Sequence, residues 1–205
     1  MLKTILVPLD GSDIARGILP YVSQIARKTG TPLVLHTAID LQSMHISETS
    51  AMYLDQIEGR LRARALGTLK EIADQLRDAS IEVRSEVTVG SPAEEVLRFA
   101  GEARCDLIAM STHGRNAIGR SILGSVTDKI VHSADVPVLT INPETARKYQ
   151  EQEGMTLNRV ILPMDGSQLA EQAVPYAVSL AQAMSLEVEL VQVVPTGLPT
   201  YAFPG

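Results

Sequence analysis

The sequence predicts an α/β protein built on a doubly wound, parallel, five-stranded sheet, followed by a partial β-α-β repeat. Three observations lead to this prediction. Short apolar runs alternate with segments of helical periodicity over the first 142 residues. A glycine-containing loop follows the fourth apolar run, and the first run and its helix recur near the end of the chain. Strands separated by helices form parallel sheets, because each right-handed crossover buries its helix on a face of the sheet.

The first strand and helix are predicted at residues 4–8 and 13–29. The run TILVP at 4–8 is typical of a buried strand. Ser12 is placed to cap the helix, and Gly30 to end it. Pro20 falls inside this helix, where we expect it to kink the axis or weaken one turn.

The next elements are a second strand and a long helix. Residues 33–39 (LVLHTAI) predict the strand. Residues 40–51 lack a clear period and predict an exposed loop. Residues 52–77 combine helical spacing with many charges, which predicts a partly exposed helix.

A third strand and helix follow. Residues 83–89 alternate apolar and other side chains, as strands at a sheet edge do. Ser91 and Glu94 predict a capping box with Pro92 at the first helical position, beginning a helix that runs to about residue 103.

A candidate phosphate-binding loop follows the fourth strand, which is predicted at residues 105–110 (CDLIAM). Ser111-Thr112-His113-Gly114 comes directly after it. Nine residues then separate Gly114 from Gly124-Ser125-Val126-Thr127, which stands at the start of a predicted helix over 126–133. Glycine lets the backbone approach an anion, and the first unpaired N–H groups of a helix point at it while the dipole favours its charge. Ser125 is expected to add a hydroxyl donor or to cap the helix.

These residues resemble a known family. The run MSTHGRNAIGRSILGSVTDKIVHSADVPVLTI, residues 110–141, resembles the nucleotide-binding signature and final strand of the universal stress protein family, written G-x2-G-x9-G-[ST]. Gly114, Gly124 and Ser125 fit this pattern, and Ser111 stands where the family has its first glycine. In the family that position brings backbone close to the ribose, so we expect a small serine to fit. The resemblance covers residues 1–142.

The resemblance implies the sheet order 3-2-1-4-5 of the adenine nucleotide alpha hydrolase-like fold and an ATP site, with Mg²⁺ carried by the phosphates. In open sheets of this kind the ligand lies outside the carboxyl ends of the strands at a switch point, here between the first and fourth strands. The implied function is that of an ATP-binding regulatory module. The residues implied at the site are Pro8, Leu9, Asp10, Thr37, Met110, Ser111, His113, Gly114, Arg115, Gly124, Ser125 and Val126.

Several of these residues also have a structural interpretation. Asp10 either bonds the nucleoside, as the resemblance implies, or forms an Asx-turn beside the first helix. Met110 either contacts adenine or belongs to the core, and Arg115 is either a phosphate partner or a solvated charge. His113 has no visible Ser-His-Asp or Cys-His arrangement, so no catalytic residue is assigned. Thr37 occupies the position whose backbone meets the adenine ring in the family.

Two other functions remain open at this stage. One is a dimeric scaffold of the same fold that binds no nucleotide, and the largely present glycine motif counts against it. The other is an ATP-hydrolysing enzyme such as an ATP pyrophosphatase. Such enzymes carry an S-G-G-x-D-S loop after the first strand, where this chain has Pro8-Leu9-Asp10-Gly11-Ser12. Slow ATP hydrolysis is compatible with the regulatory module.

The end of the chain repeats its beginning at an offset of 155 residues. Residues 5–12 (ILVPLDGS) correspond to residues 160–167 (VILPMDGS), and Pro20-Tyr21 to Pro175-Tyr176. We therefore divide the chain into a nucleotide-binding domain at 1–142, a polar and partly helical linker at 143–156, and an incomplete second copy at 157–205. Truncation of a longer tandem protein is the interpretation that we favour for the incomplete copy.

Composition and edge strands bear on the partners. The formal net charge of -6 argues against nucleic acid, which needs a basic face. No apolar run approaches a membrane span and the N-terminus leads into a strand, so we expect a cytoplasmic protein. The single Cys105 forms no internal disulfide, and the histidines lack metal-ligand spacing. Residues 136–141 (VPVLTI) predict an apolar outer strand, through which the resemblance implies a homodimer.

Overall fold

A computed structural model describes residues 2–43, 53–112, 124–151 and 157–193 of the chain. The chain divides into two compact units, Met1–Thr156 and Leu157–Gly205. No helix in these described ranges is long and apolar enough to cross a membrane.

The first unit is a parallel sheet with helices on its faces. Its strands are β1 (Ile5–Pro8), β2 (Leu33–Ile39), β3 (Val83–Val89), β4 (Leu107–Ser111) and β5 (Val138–Ile141). Its helices, among the described residues, are α1 (Asp13–Arg16), α2 (Leu19–Thr29), α3 (Leu54–Asp78), α4 (Pro92–Glu102), α5 (Ser125–Ser133) and α6 (Pro143–Glu151). The strand order β3-β2-β1-β4-β5 confirms the predicted fold class.

The centre of the sheet is fully buried. In β1, Ile5, Leu6 and Val7 are all 0% exposed, and so is Ile108 in the neighbouring β4. The two strands run parallel, with Leu6 opposite Ile108. These strands are apolar at consecutive positions because helices cover both faces of the sheet.

The first predicted helix is wrong in one respect, since it is two helices rather than one. A break at Gly17 and Ile18 separates α1 from α2 and places Pro20 in the first turn of α2. A proline there removes no helical hydrogen bond, because the first N–H groups of a helix have no partner within it. The interruption before Pro20 agrees with the expected weakening of one turn, and the proline lies in the first turn of a second helix.

The predicted helix ends are partly confirmed. The hydroxyl of Ser12 accepts the amide of Ala15 over 3.1 Å at the start of α1, and Gly30 ends α2 with a φ of 69°. The capping box at α4 is wrong: Ser91 occupies the N-cap position without a side-chain bond to the helix. The carboxylate of Glu94 instead accepts a hydrogen bond from Lys129 of α5 over 2.7 Å.

Several elements begin one or two residues away from their predicted starts. β4 begins at Leu107 because the preceding Asp106 is engaged with the chain before β1: its carboxylate accepts the amides of Lys3 and Thr4. β5 begins at Val138, after Pro137. α5 begins at Ser125, with Gly124 in the N-cap position, so Ser125 does not cap the helix.

The second unit is a β-α-β arrangement, as expected for a partial repeat. It contains β6 (Arg159–Met164), α7 (Gln168–Glu171), α8 (Val174–Met184) and β7 (Glu187–Gln192), and β6 and β7 pair in parallel. Leu162 of β6 and Met184 of α8 are buried, whereas Ile161 is 59% and Leu190 is 66% exposed. The small sheet therefore has apolar side chains that its own helices do not cover.

Candidate functional site

The candidate site lies at the carboxyl ends of β1 and β4, which are neighbours in the sheet. The chain turns back at this point of the strand order: β2 and β3 lie on one side of β1, and β4 and β5 on the other. Crevices at such switch points are the usual ligand sites of open α/β sheets. The fold thus places Pro8, the last residue of β1, and Ser111, the last residue of β4, at the same edge of the sheet.

The end of β1 is held to β2 by two hydrogen bonds at Leu9. Pro8 lies opposite His36 in the ladder. The amide of Leu9 donates to the carbonyl of His36 over 2.8 Å, and the hydroxyl of Thr37 donates to the carbonyl of Leu9 over 2.8 Å. Leu9 itself is only 4% exposed. Thr37 therefore acts at this edge through its side chain, by fixing the backbone of Leu9.

The loop after β1 is an Asx-turn that leads into α1. Oδ1 of Asp10 accepts the amide of Ser12 over 2.9 Å, and Gly11 between them has a φ of 83°. A residue with a side chain is strained at that φ, so glycine suits the position. Asp10 is an exposed residue at this edge of the sheet. The structural interpretation of Asp10 is correct, and the ligand role is compatible with it.

Met110 and Ser111 end β4 and face opposite sides of the sheet, as successive strand residues do. Met110 is 6% exposed and belongs to the core cluster formed with Leu6, Val96 and Ile130. Ser111 is 4% exposed, and its hydroxyl donates to the carbonyl of Ala15 over 3.4 Å. Hence the serine side chain is accommodated against α1.

Gly124 introduces α5 with backbone angles that favour glycine, φ 75° and ψ 148°. No side chain in the described part of the chain caps this helix. Its first amides, from Ser125 onward, are therefore not bonded by a capping side chain. Val126 packs on the core, and Thr127 is 1% exposed. His113, Gly114 and Arg115 lie outside the described residues.

A buried histidine lies next to this edge. His36 is 0% exposed, its Nε2 lies 3.0 Å from the hydroxyl of Thr88, and its ring stacks on Phe99 at 5.1 Å between centroids. Burial lowers the pKa of His36 to about 4; Glu95 opposes this shift and Arg98 adds to it. The imidazole is therefore neutral at physiological pH. Its Nδ1 has no hydrogen-bond partner among the described residues.

A sequence model of the universal stress protein family matches residues 1–142. The chain belongs to this family. Universal stress protein MJ0531 of Methanocaldococcus jannaschii is 27% identical over 139 residues, which are 68% of this chain and 81% of that protein. The family resemblance noted in the sequence is thereby confirmed.

Solved universal stress proteins show the same fold. One from Archaeoglobus fulgidus matches with a TM-score of 0.72 at 22% identity, over 95% of this chain and 68% of that chain. Another, solved in complex with cAMP, matches with a TM-score of 0.53 at 23% identity, over 69% of this chain and 98% of that chain. With identities of 22% and 23%, these similarities show that the chain has the same fold.

Sequence reasoning missed two contacts that shape the site. Ala15 was not singled out, although its carbonyl accepts the hydroxyl of Ser111. Helix α6 was treated as part of a linker, although the hydroxyl of Tyr21 donates to the carbonyl of Thr145 over 3.2 Å. The sequence did carry a signal that α6 packs near the first helix: Gly17 lies against Ala146 of α6, and the residue at the offset of 155 is Gln172 rather than glycine.

Proposed function

We propose that this universal stress protein is a regulatory module that binds ATP at the carboxyl ends of β1 and β4. The observation that carries the proposal is the meeting, at one sheet edge, of the Asp10 turn and the strand that leads into the family's glycine motif. In this proposal Asp10 contacts the nucleoside. The amides at Gly124 and Ser125 bind the phosphates, with Gly114 and Arg115 of the same motif contributing.

The buried side chain of Ser111 supports nucleotide binding despite the departure from the family pattern. Its hydroxyl is directed to Ala15 of α1. The backbone of Ser111, which the family uses beside the ribose, is therefore not obstructed by its own side chain. A neighbouring Thr112 that donates its amide to the carbonyl of Ile141 over 2.9 Å keeps that backbone in place.

Magnesium would be held by the phosphates. Among the described residues no group of three or more His, Cys, Asp or Glu side chains is arranged to hold a metal ion. Mg²⁺ is commonly bound by substrate phosphates, water and one or two carboxylates, and Asp10 carries a carboxylate at this edge. The ion would neutralise phosphate charge, and the chain's own residues would bind and orient the nucleotide.

We also propose that residues 157–205 are an incomplete second copy of the family fold. The local hydrogen bonds of the first copy recur there. Oδ1 of Asp165 accepts the amide of Ser167 over 2.9 Å, and the hydroxyl of Ser167 accepts the amide of Ala170 over 3.1 Å. The same distances link Asp10, Ser12 and Ala15. Identical capping geometry at a constant offset favours duplication over chance similarity.

The test of nucleotide binding is thermal unfolding of the full chain after removal of any bound nucleotide. Mg²⁺-ATP, ADP, AMP and cAMP are compared, the last because a protein of the same fold was solved with it. A ligand at about 100 times its dissociation constant raises the midpoint by roughly 5 to 10 °C for a chain of this size. No shift with any of these nucleotides would overturn the proposal and favour the scaffold function.

Two variants assign the shift to the crevice. Gly124→Val strains the backbone at a φ of 75° and blocks close approach of a phosphate, so the nucleotide shift is expected to disappear. Gly30→Val also places a side chain at a positive φ, 69°, but away from the site, and should retain the shift. Ser125→Ala, which removes only a hydroxyl, serves as the milder variant if Gly124→Val does not fold.

A further inference from the structure

Helix α6 packs against α1 at a position where no side chain fits. A Cβ placed on Gly17 would lie 2.8 Å from the Cβ of Ala146 and 3.1 Å from the carbonyl of Ile14. The φ of Gly17 is -57°, which any residue adopts. The backbone therefore does not require glycine here. The requirement comes from α6.

The second copy of the motif supports this explanation. At the offset of 155, Gly17 corresponds to Gln172, which follows α7 and is exposed. Gln172 also has an ordinary helical φ, -64°. The two copies thus share backbone geometry at this position, and glycine occurs in the copy that packs against α6.

Further contacts complete the docking of α6. Ala146 is 6% exposed. The hydroxyl of Tyr21 donates to the carbonyl of Thr145 over 3.2 Å, and Tyr21 is 4% exposed. Its counterpart in the second copy, Tyr176, is 57% exposed. We call the set Gly17, Tyr21, Thr145 and Ala146 the α6 seat.

The four-residue helix α1 connects the α6 seat to the candidate site. Its first end is capped by Ser12, whose amide is bonded to Asp10 at the rim of the crevice. Its last turn carries Ala15, whose carbonyl accepts the hydroxyl of Ser111 at the end of β4. A Cβ on Gly17 would also lie 3.4 Å from that same hydroxyl oxygen. The seat and the crevice are therefore separated by one short helix and one side chain.

We propose that docking of α6 and occupancy of the crevice by an adenine nucleotide are coupled through α1. This inference rests on the proposed function and adds its regulation. A nucleotide that contacts Asp10 and the backbone of Ser111 holds in place the two points to which α1 is bonded, its N-cap turn and the end of β4. A fixed α1 favours the docked α6. By linkage, a docked α6 strengthens nucleotide binding by the same factor.

The first measurement is hydrogen exchange of the full chain with and without Mg²⁺-ATP. Backbone amides of α6 are expected to exchange about tenfold more slowly with nucleotide, within the range of typical couplings. Amides of α8 in the second unit serve as the internal reference and are expected not to change.

A pair of substitutions that moves one methyl group from α6 to Gly17 tests whether the coupling passes through this contact. Gly17→Ala is expected to displace α6, to accelerate its exchange without nucleotide and to raise the dissociation constant about tenfold. Adding Ala146→Gly removes the opposing methyl group and is expected to restore the affinity to within about twofold of the wild type. Gln172→Ala, at the corresponding position of the second copy, is the matched control and should leave both readouts unchanged.

The outcomes separate this inference from the proposed function. Failure of the wild-type protein to bind any adenine nucleotide overturns both. Nucleotide binding that is equal in wild type and Gly17→Ala, with α6 exchange unaffected by ATP, overturns the coupling and leaves the proposed function standing. If Gly17→Ala weakens binding and Ala146→Gly does not restore it, the coupling is also overturned, because the loss of affinity would not pass through α6. If Gly17→Ala does not fold, Tyr21→Phe, compared with Tyr176→Phe, must show faster α6 exchange and weaker binding.

Discussion

The hydroxyl of Thr37 donates a hydrogen bond to the backbone carbonyl of Leu9 over 2.8 Å. This contact crosses from the end of β2 to the loop that follows β1, directly before Asp10. It fixes the backbone carbonyl of Leu9, a residue that is only 4% exposed. The side chain of Thr37 thus positions the rim of the candidate site.

Thr37→Val is expected to weaken nucleotide binding about three- to tenfold, since it removes one hydrogen bond of about 1 kcal/mol and loosens the turn at Asp10. Isothermal titration with Mg²⁺-ATP measures the effect. Thr68→Val is the control, because Thr68 bonds only a carbonyl of its own helix, that of Arg64, at an exposed position. Equal affinity in both variants would show that the Leu9 carbonyl does not position the site.

The buried His36 predicts a loss of stability in mild acid. Its pKa is about 4 in the folded protein, against 6.5 for an unperturbed histidine, because burial disfavours the charged ring. Between these two values the unfolded chain binds a proton that the folded protein does not. Stability contributed by His36 is therefore complete above about pH 6.5 and is lost as the pH falls toward 4. The full change in the free energy of unfolding is about 3 kcal/mol.

Urea unfolding at a series of pH values measures this dependence. His36→Gln keeps a polar group near Thr88 but does not titrate, so it should flatten the stability curve between pH 4 and 6.5. His132→Gln is the control, since the side chain of His132 is 72% exposed. A curve for His36→Gln as steep as that of the wild type would assign the acid sensitivity to other groups.

The sequence predicted the strands of this fold because buried parallel strands are apolar at consecutive positions, as Ile5, Leu6 and Val7 are. It did not predict where the first helix breaks. The glycine at position 17 depends on Ala146, which lies more than a hundred residues later in the chain. The predicted capping box is also missing a local partner, because Glu94 bonds Lys129 of another helix. Local patterns cannot register such distant partners.

The site was predictable to the extent that it follows from topology. The switch point between β1 and β4 and the turn at Asp10 both come from short motifs and their order. The orientations of side chains were less accessible. Met110 and Ser111 are adjacent, yet one lies in the core and the other against α1. Period-two alternation along β4, taken with the buried Ile108, would have separated them.

The left-handed residues after α2 and α8 predict opposite effects of substitution. Gly30 and Ser185 are counterparts at the offset of 155, with φ values of 69° and 55°. No atom of the described residues lies within 4 Å of a Cβ placed on Gly30, so Gly30→Ala is expected to cost backbone strain, about 1 kcal/mol. Ser185→Gly should stabilise its helix end by a similar amount. Hydrogen exchange of α2 and α8 reports the two changes separately, and a loss in both variants would contradict the strain argument.

The outer edge of β5 predicts how copies of the chain associate. The carbonyls of Pro137 and Ile141 accept the amides of Ile108 in β4 and of Thr112 directly after it. The backbone groups of Val138 and Thr140 therefore point to the other side of the strand. We expect a homodimer through this edge, as the family resemblance implied. Thr140→Pro removes an outward N–H without removing a bond to β4, and edge strands tolerate proline.

Light scattering at micromolar concentration should therefore give a dimer mass for the wild type and a monomer mass for Thr140→Pro. Leu139→Pro is the contrasting variant: its amide lies on the β4 side of the ladder, so it should disturb the sheet itself and lower the unfolding temperature. A wild-type protein of monomer mass, or a Thr140→Pro variant that remains dimeric while folded, would show that copies do not meet at β5. Because the apolar edge would then stay open, aggregation at higher concentration would be the expected consequence.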